Sequence, residues 1–247
     1  ALSSYSPFIS RRQGCGVSSL LSDRRILVAG GTSGIGLATS QYCIEKNASV
    51  FILGKNHNKL ESALEYLKTA DGSACDVRLP SDCNNSVEEA TRSMGGVDTL
   101  IFCAGVGTIS PISELEFEKY RAMIEVNLLG AFNMCKALLP ELKKSKRADI
   151  FLIGSRAGRY AFEGGTGYCA AKSGIQGFAE ALYLDVISDD ISVTLIAPGT
   201  VDTGFAKVKG QSWHLQAEDV AKAIGDCLTS HARANINWIE MRPSRNG

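Results

Sequence analysis

Short apolar segments alternate with longer amphipathic ones from Arg25 onward, which leaves few folds open to the chain. The apolar segments predict strands at 26–29, 50–53, 73–75, 100–103, 150–153, 193–196 and 236–240. A helical spacing of apolar residues predicts helices at about 34–46, 57–68, 81–94, 114–138, 164–188 and 217–229. This alternation is typical of right-handed crossover units, and continuously apolar strands indicate burial on both faces. The sequence therefore predicts an α/β fold, a doubly wound parallel sheet of about seven strands with helices on both faces.

The first 22 residues have a composition of their own. They contain seven serines, Arg11 and Arg12, and no acidic residue. This composition predicts a remnant of a targeting peptide or a disordered arm, while an ordered arm or an expression remnant is equally compatible with it. Residues 23–247 contain no repeat and no linker-like tract, and their length suits one large domain.

The charge balance argues against two classes of partner. The 26 basic residues are matched by 26 acidic ones, so the sequence favours neither nucleic acid nor a polybasic membrane contact. No uninterrupted apolar run approaches the roughly 18 residues that a membrane span needs. We therefore expect a small-molecule partner.

The eight cysteines and three histidines do not form a metal or disulfide pattern. There is no Cys-x-x-Cys pair, and most cysteines lie in apolar segments, which is typical of a reducing compartment. The sequence thus predicts an intracellular protein, cytoplasmic in the first instance, or organellar if the N-terminal segment is a targeting remnant. The histidines lack metal-ligand spacing, so we expect chemistry without a metal.

A glycine-rich turn follows the first predicted strand and leads into a helix. Its residues are Gly30, Gly31, Thr32, Ser33, Gly34, Ile35 and Gly36, with the spacing G-x-x-x-G-x-G. Such glycines let the backbone approach a pyrophosphate, and the free N–H groups of a helix N-terminus bind anions. The turn therefore predicts a dinucleotide site, although tight packing alone would also explain it.

A tyrosine and a lysine lie four residues apart on a predicted helix. Tyr168 and Lys172 therefore share one face, where an ammonium group would favour the phenolate and bring it toward a useful pKa. Ser155 follows the fifth predicted strand, at the sheet edge where α/β proteins bind ligands. Taken singly, these residues are equally compatible with an ordinary amphipathic tyrosine, a solvated lysine and a turn serine.

The glycine turn, Ser155, Tyr168 and Lys172 together resemble the short-chain dehydrogenase/reductase family over roughly residues 24–243. The resemblance implies a Rossmann-type domain with Tyr168 as catalytic acid/base and Lys172 binding the nicotinamide ribose and lowering the tyrosine pKa. It implies that Ser155 hydrogen-bonds the substrate oxygen. It also implies that Asn127 kinks its helix and joins a proton-relay water, whereas Asn127 alone is compatible with a solvent-facing side chain.

The resemblance also implies where the cofactor binds. Besides the glycine turn, Tyr168 and Lys172, the implied contacts are Asp76 and Val77 on the adenine side, Cys103, Ala104 and Gly105 after the fourth strand, and Pro198, Gly199, Val201 and Thr203 beside the nicotinamide. Two residues depart from the family pattern. Cys103 replaces an asparagine and Ala29 replaces a frequent threonine, so we expect altered local hydrogen bonding with the chemistry retained.

The end of the second strand indicates which cofactor binds. An acidic residue there would bind the ribose hydroxyls and repel a 2′-phosphate. The chain instead has Gly54, Lys55 and Asn56. This predicts NADP(H), with NAD(H) less favoured, unless Lys55 is merely a solvated turn residue.

Few residues bear on the substrate. Phe205, Val208 and Trp213 could line an apolar pocket. Arg159 and Phe162 could also face the substrate, where an arginine would suit a carboxylate, but a surface salt bridge is the stronger expectation for Arg159. The segment 234–243 resembles the branch of the family that contains 3-hydroxy acid and serine dehydrogenases.

These observations favour hydride transfer between NADP(H) and a carbonyl or secondary alcohol, with Tyr168 moving the proton. The alternative is a non-catalytic sensor or scaffold that binds a dinucleotide. The family resemblance implies a homodimer or homotetramer formed through the helices that carry Asn127 and Tyr168. Small residues on the second helix, Ala170, Ala171, Gly174, Gly177 and Ala181, would allow close helix contact, but they would equally suit packing on the sheet.

Overall fold

A seven-stranded parallel sheet forms the centre of the protein, of which the computed structural model describes residues 21–205, 211, 213–231 and 233–245. Its strands are β1 Arg25–Ala29, β2 Ser49–Gly54, β3 Asp71–Ala74, β4 Thr99–Phe102, β5 Ala148–Ile153, β6 Ile191–Pro198 and β9 Trp238–Met241, and β7 Val201–Asp202 pairs separately with β8 Leu215–Gln216. The order β3-β2-β1-β4-β5-β6-β9 reverses direction between β1 and β4. The predicted doubly wound, Rossmann-type single domain is confirmed.

Helices cover both faces of this sheet. They are α1 Gly34–Glu45, α2 His57–Leu67, α3 Pro80–Met94, α4 Phe117–Ile124, α5 Gly130–Leu142, α6 Thr166–Val186 and α7 Ala217–Leu228. Alternate strand residues face opposite sides, as the strand period of two requires. Ile26 and Val28 join a hydrophobic layer with α1, α2 and α7, whereas Leu27 and Ala29 join the layer with α3, α5 and α6. Leu21 is already buried in the first of these layers.

The structure differs from the sequence prediction at three places. The third strand begins at Asp71, because Asp71 and Gly72 pair with Phe51 and Ile52 although neither residue is apolar. The short strands β7 and β8 were not predicted. The helix expected over 114–138 consists of α4, a π-helical segment Glu125–Leu129 and α5. Residues 1–20 lie outside the described part of the chain, so the predicted targeting remnant or arm stays a prediction.

One helix in the described part, Phe117–Leu142, is long and apolar enough to cross a membrane by length and composition. Its average hydropathy is high enough for a membrane span, although it contains no long uninterrupted apolar run. Its residues Met134, Leu138 and Leu142 are fully buried in the layer shared with α3 and α6. This packing is that of a core helix.

The amino ends of the central strands hold a buried ionic network. The Arg24 guanidinium contacts Asp98 Oδ1 through Nε at 3.2 Å, donates to Thr99 Oγ1 at 2.7 Å, and also donates to Asp149. The Arg25 backbone N–H donates to Asp98 Oδ2 at 3.0 Å. Arg25, Thr99 and Asp149 belong to β1, β4 and β5, and Arg24 and Asp98 directly precede β1 and β4. The network therefore ties three neighbouring strands together at one edge.

Candidate active site

The opposite edge of the sheet, at the carboxyl ends of the strands, collects the residues that the sequence singled out. The glycine turn follows β1, Cys103 to Gly105 follow β4, Ser155 follows β5 and Pro198 ends β6. Parallel pairing aligns β1, β4, β5 and β6 in register, so these residues share one edge beside the point where the strand order reverses. Ligands of open α/β sheets bind at this location.

The glycine turn is packed tightly between two strands. Gly30 adopts φ +82°, and a Cβ on it would lie 2.6 Å from the backbone nitrogen of Ala104, so no other residue fits. The N–H groups of Gly30 and Gly31 donate to the Leu53 carbonyl at 2.9 and 3.1 Å. This fixes the turn against the ends of β2 and β4.

Helix α1 begins directly after this turn. Its first intrahelical bond runs from the Leu37 N–H to the Ser33 carbonyl at 3.3 Å, which leaves the N–H groups before Leu37 without intrahelical partners. Thr203 lies close by, since a Cβ on Gly34 would be 3.1 Å from the Thr203 Cβ. A narrow glycine turn and a helix N-terminus suit a pyrophosphate, so these residues fit a dinucleotide.

Tyr168, Ser155 and Lys172 meet beside this turn. Ser155 lies next to the Tyr168 hydroxyl and acts to lower its pKa. Ser155 Oγ accepts from the Ala157 N–H at 3.1 Å. Lys172 lies one turn after Tyr168 on α6, with Nζ 5.8 Å from the centre of the tyrosine ring. The ammonium donates to the Ile153 carbonyl at the end of β5, at 2.9 Å.

Burial sets the protonation of this group. Desolvation raises the pKa of Tyr168, and the neighbouring Ser155 hydroxyl offsets only part of that rise. Desolvation also lowers the pKa of Lys172 to about 8. The lowering of the Tyr168 pKa by Lys172 that the family resemblance implies stays a prediction. Burial has the largest effect on both pKa values, and the amine is turned toward the Ile153 carbonyl.

Asn127 lies in the π-helical segment and fastens it to the β4 loop. Its Nδ2 donates to the Met123 carbonyl at 2.7 Å and to the Val106 carbonyl at 2.8 Å. The helix is thus distorted at the residue for which the family resemblance implied a kink. Asn127 is completely buried, and its Oδ1 has no partner among the described residues.

The unpaired Asn127 oxygen faces the β4 loop. A Cβ on Gly105 would lie 2.8 Å from Asn127 Oδ1 and 3.8 Å from Lys172 Nζ, so the three residues converge. A buried acceptor without a partner is a position for a polar group supplied by solvent or ligand.

Cys103 occupies the position of the family asparagine without disturbing the strand end. Its N–H donates to the Ala29 carbonyl at 2.8 Å. Burial raises the pKa of its thiol to about 12, although Lys172 opposes the rise. The thiol therefore stays neutral beside the buried amine.

The predicted adenine side carries an ion-pair cluster. Lys55 Nζ lies 3.0 Å from Asp76 Oδ2, and Arg78 Nε donates to Asp76 Oδ1 at 2.9 Å. Arg78, the strongest of these contacts, holds the pKa of the Asp76 carboxyl well below its usual range. Arg78 is not among the residues predicted from the sequence, although its position two residues after Asp76 could have indicated that it pairs with this carboxylate. Val77 is buried, and its carbonyl accepts from Asn133 Nδ2 at 3.0 Å.

The loop that is predicted to lie beside the nicotinamide follows β6. The Gly199 N–H donates to the Met241 carbonyl at 2.8 Å, which ties the loop to β9. Val201 lies in β7 and pairs with Leu215. Of the other residues assigned to the cofactor, Thr32 lies over the end of β2, because a Cβ on Gly54 would be 2.3 Å from its Cγ2. Ile35 packs against the layer with α1 and α7.

The predicted substrate residues separate into two groups. The rings of Phe205 and Tyr168 have centroids 6.0 Å apart, and Phe162 precedes α6 with its ring exposed. Arg159 instead lies over the Trp238 ring of β9 at 5.4 Å, and no ion pair is found for it among the described residues. Its expected surface salt bridge is therefore replaced by an aromatic contact. Val208 lies outside the described residues, and Trp213 packs on His214.

Comparisons with known proteins agree with this geometry. A family model described as short chain dehydrogenase matches residues 24–212. A 3-dehydrosphinganine reductase of Arabidopsis thaliana is 36% identical over 226 residues, which cover 83% of this chain and 68% of that protein. The crystal structure of serine dehydrogenase from Escherichia coli is 28% identical with a TM-score of 0.79, covering 87% of this chain and 96% of its own. A closed form of serine dehydrogenase complexed with NADP+ is 27% identical with a TM-score of 0.83, covering 87% of this chain and 93% of its own.

Proposed function

The chain belongs to the short chain dehydrogenase family, and we propose that within this family it is an NADP(H)-dependent reductase that converts a carbonyl group of a small molecule to a secondary alcohol. The observation that carries the proposal is the meeting of Ser155, Tyr168 and Lys172 next to the glycine turn. A proton donor, a hydrogen-bonding hydroxyl and a buried amine at a dinucleotide site are the groups that carbonyl reduction requires.

The reduced nicotinamide, when bound, supplies the hydride that adds to the carbonyl carbon. Ser155 holds the substrate oxygen through its hydroxyl. Tyr168 donates its phenolic proton to that oxygen, which its raised pKa permits because the phenol is fully protonated at neutral pH. Lys172 binds its proton loosely, with a pKa of about 8, and so can replace the proton that Tyr168 gives up. Asn127 Oδ1 offers an acceptor on the Lys172 side for a relay of that proton.

Support for NADP(H) over NAD(H) comes from the corner at the end of β2. Arg78 is committed to Asp76 and also approaches Glu125, with 3.7 Å between charged atoms. The side chain of Lys55 is 66% exposed, and among the described residues its ion pair is with Asp76, so we assign the 2′-phosphate to Lys55. No acidic residue ends β2 to repel that group.

Replacing Tyr168 with Phe tests the proposal directly. The variant keeps the ring but loses the proton, so kcat should fall about a thousandfold while NADPH affinity stays within about twofold of the parent. The measurements are NADPH oxidation with a panel of ketones and NADPH binding by calorimetry. Tyr66→Phe is the matched control, because Tyr66 is exposed on α2, and it should leave both values unchanged.

Two results would oppose the proposal. A Tyr168→Phe variant that keeps more than a few per cent of the rate would remove Tyr168 as proton donor. Tight NADPH binding without turnover of any ketone or alcohol would favour a dinucleotide sensor or scaffold instead.

We also propose that the protein forms a homodimer or homotetramer through α5 and α6. Phe132 and Leu184 are exposed large apolar residues on these helices, and no atom of the described residues lies within 4 Å of a Cβ built on Gly177. Gly174, by contrast, already packs on Leu128 and is not available. Sedimentation velocity tests this proposal, because Gly177→Arg should then yield monomers. A monomeric parent protein would contradict it.

A further inference from the structure

We propose that the substrate carries an extended hydrocarbon chain that leaves the catalytic tyrosine past Phe205 and lies on an apolar mouth formed by Ile109, Ile112 and Phe162. This inference rests on the proposed carbonyl reduction and adds the class of its substrate. It is carried by the contacts, exposure and charge of the two loops that border Tyr168.

The apolar mouth is a set of large side chains left in contact with solvent. Ile112 is 75% exposed, Ile109 60%, Phe205 46% and Phe162 43%. Single exposed apolar residues need no explanation, but grouped ones mark a surface that binds another apolar group. Phe205 contacts the Tyr168 ring, Ile109 and Phe162 lie on the loops that meet before α6, and Ile112 follows Ile109 by three residues in the same loop.

Direct contacts join the two loops into one surface. The Ser110 N–H, after β4, donates to the Gly164 carbonyl before α6 at 2.9 Å. A Cβ on Gly164 would lie 3.1 Å from Ile109 Cγ2, and one on Gly165 would lie 3.1 Å from the Phe162 ring. The loops are therefore held side by side, with Ile109 and Phe162 on their shared surface.

Gly107 connects this surface to the catalytic residue. A Cβ on Gly107 would lie 2.9 Å from Phe205 Cε1 and 3.2 Å from Tyr168 Cδ2. Both rings thus pack against the backbone of Gly107, which has no side chain, and their centroids are 6.0 Å apart. A chain attached to a carbonyl at Tyr168 would meet the Phe205 ring first and the exposed isoleucines next.

The charge of the two loops opposes a small carboxylate substrate. Residues 104–113 contain no charged side chain, and Glu163 is the one charged residue from Tyr160 to Tyr168. The two cations of the loop after β5 are both engaged with β9, since Arg159 lies over the Trp238 ring and Arg156 Nε is 3.3 Å from Glu240 Oε1. A hydroxy acid would therefore find an acidic residue and apolar surface, whereas a hydrocarbon chain would lose contact with water.

A series of straight-chain ketones from 2-butanone to 2-decanone, each with NADPH, tests the inference. Burial of a methylene is worth up to about 0.8 kcal/mol, and the mouth is partly open, so kcat/KM should rise about two- to fourfold per added carbon. A flat series, or a higher kcat/KM for acetoacetate than for 2-decanone, would overturn the inference while leaving the proposed carbonyl reduction in place.

Two matched variants test whether the rise in kcat/KM per added carbon comes from the apolar mouth. Ile109→Ser should reduce the gain per carbon, whereas Ile187→Ser should not, because Ile187 is similarly exposed but follows α6 at its far end. If kcat/KM rose equally per added carbon in the parent and in Ile109→Ser, the apolar mouth would not be the binding surface and the inference would be overturned. The inference would also be overturned if kcat/KM did not rise with chain length and the protein sedimented with phosphatidylcholine vesicles, provided that Ile109→Ser abolished this sedimentation. The apolar mouth would then be a membrane contact.

Binding of a product-like alcohol provides a measurement that needs no turnover. With NADP+ present, 2-decanol should raise the Tm more than 2-butanol at equal concentration, and Ile109→Ser should narrow that difference. Equal shifts for the two alcohols would contradict the inference. If neither ketone series nor alcohol oxidation shows turnover while 2-decanol still binds preferentially, the proposed reaction fails and the apolar mouth stands.

Discussion

At the amino ends of β1, β4 and β5, buried charges are paired with one another, whereas at the carboxyl ends of the same strands polar groups keep unused bonding capacity. Arg24 contacts Asp98 and Asp149 at the first edge. At the second, Asn127 Oδ1 has no partner among the described residues, and Lys172 is buried with one backbone carbonyl as its acceptor. One edge holds a paired ionic network, and the other holds the residues of the proposed active site.

The difference follows from how a parallel sheet is connected. Every strand enters its helix at the carboxyl edge, so loops, helix N-termini and bare backbone gather there. The amino edge receives helix ends and short returns, and there Arg24 pairs its charge with Asp98 and Asp149, although Arg24 Nε makes no hydrogen bond among the described residues. Groups that remain unsatisfied weaken the folded state, and this is a common feature of functional sites.

Breaking the amino-edge network should give the largest loss of stability. Arg24→Met leaves Asp98 and Asp149 buried without their main cation, so we expect the free energy of unfolding to fall by about 3–5 kcal/mol. Arg25 and Arg147 still contact these carboxylates, which favours the lower value. Urea denaturation measures the loss, and kcat/KM per folded molecule should be unchanged.

The control for this change is a surface pair of the same chemistry. Arg121 on α4 pairs with Glu118 of the same helix and with Glu125 of the π-helical segment, and it is half exposed, so Arg121→Met should cost no more than about 0.5 kcal/mol. Equal losses from the two variants would mean that burial of the network contributes nothing.

Lys172 should make the carboxyl edge sensitive to pH in a predictable direction. Burial lowers its pKa from 10.5 to about 8, so between these values the unfolded chain binds more protons than the folded one. Stability should therefore rise with pH in that window, and the destabilisation is complete below about pH 8. The two pKa values correspond to about 3 kcal/mol.

The measurement compares the parent with Lys172→Met at several pH values. The variant should be the more stable protein near pH 7, by up to about 3 kcal/mol, and the gap should close above about pH 10. Tyr168 is present in both proteins, so its own titration cancels in the difference. A gap that does not change with pH would show that Lys172 titrates normally in the folded state.

The sequence predicted the parts of the site that depend on local spacing. Four residues on a helix place Tyr168 and Lys172 on one face, and a strand end places Ser155 at the sheet edge. Distant contacts were not accessible. Arg159 lies over Trp238, which is 79 residues away in the chain, and the depth of burial that raises the pKa of Tyr168 comes from several elements at once. The exposed Ile109 resembled any apolar loop residue until its neighbours were known.

Replacing Lys55 should have the smallest effect of these substitutions. It tests a charge at the carboxyl edge that is already partly paired. We expect Lys55→Met to lower kcat/KM for NADPH about tenfold and to leave NADH within about twofold, because only NADPH has a 2′-phosphate. Asp76 already holds Lys55 at 3.0 Å, so a phosphate must compete with that carboxylate, which keeps the effect modest.

Lys59→Met, an exposed lysine in the first turn of α2, should change neither value. Added salt should weaken the parent's preference for NADPH and leave that of Lys55→Met unchanged. If both cofactors lose affinity equally in Lys55→Met, the lysine acts through Asp76 and the adenine side, and the 2′-phosphate is bound elsewhere.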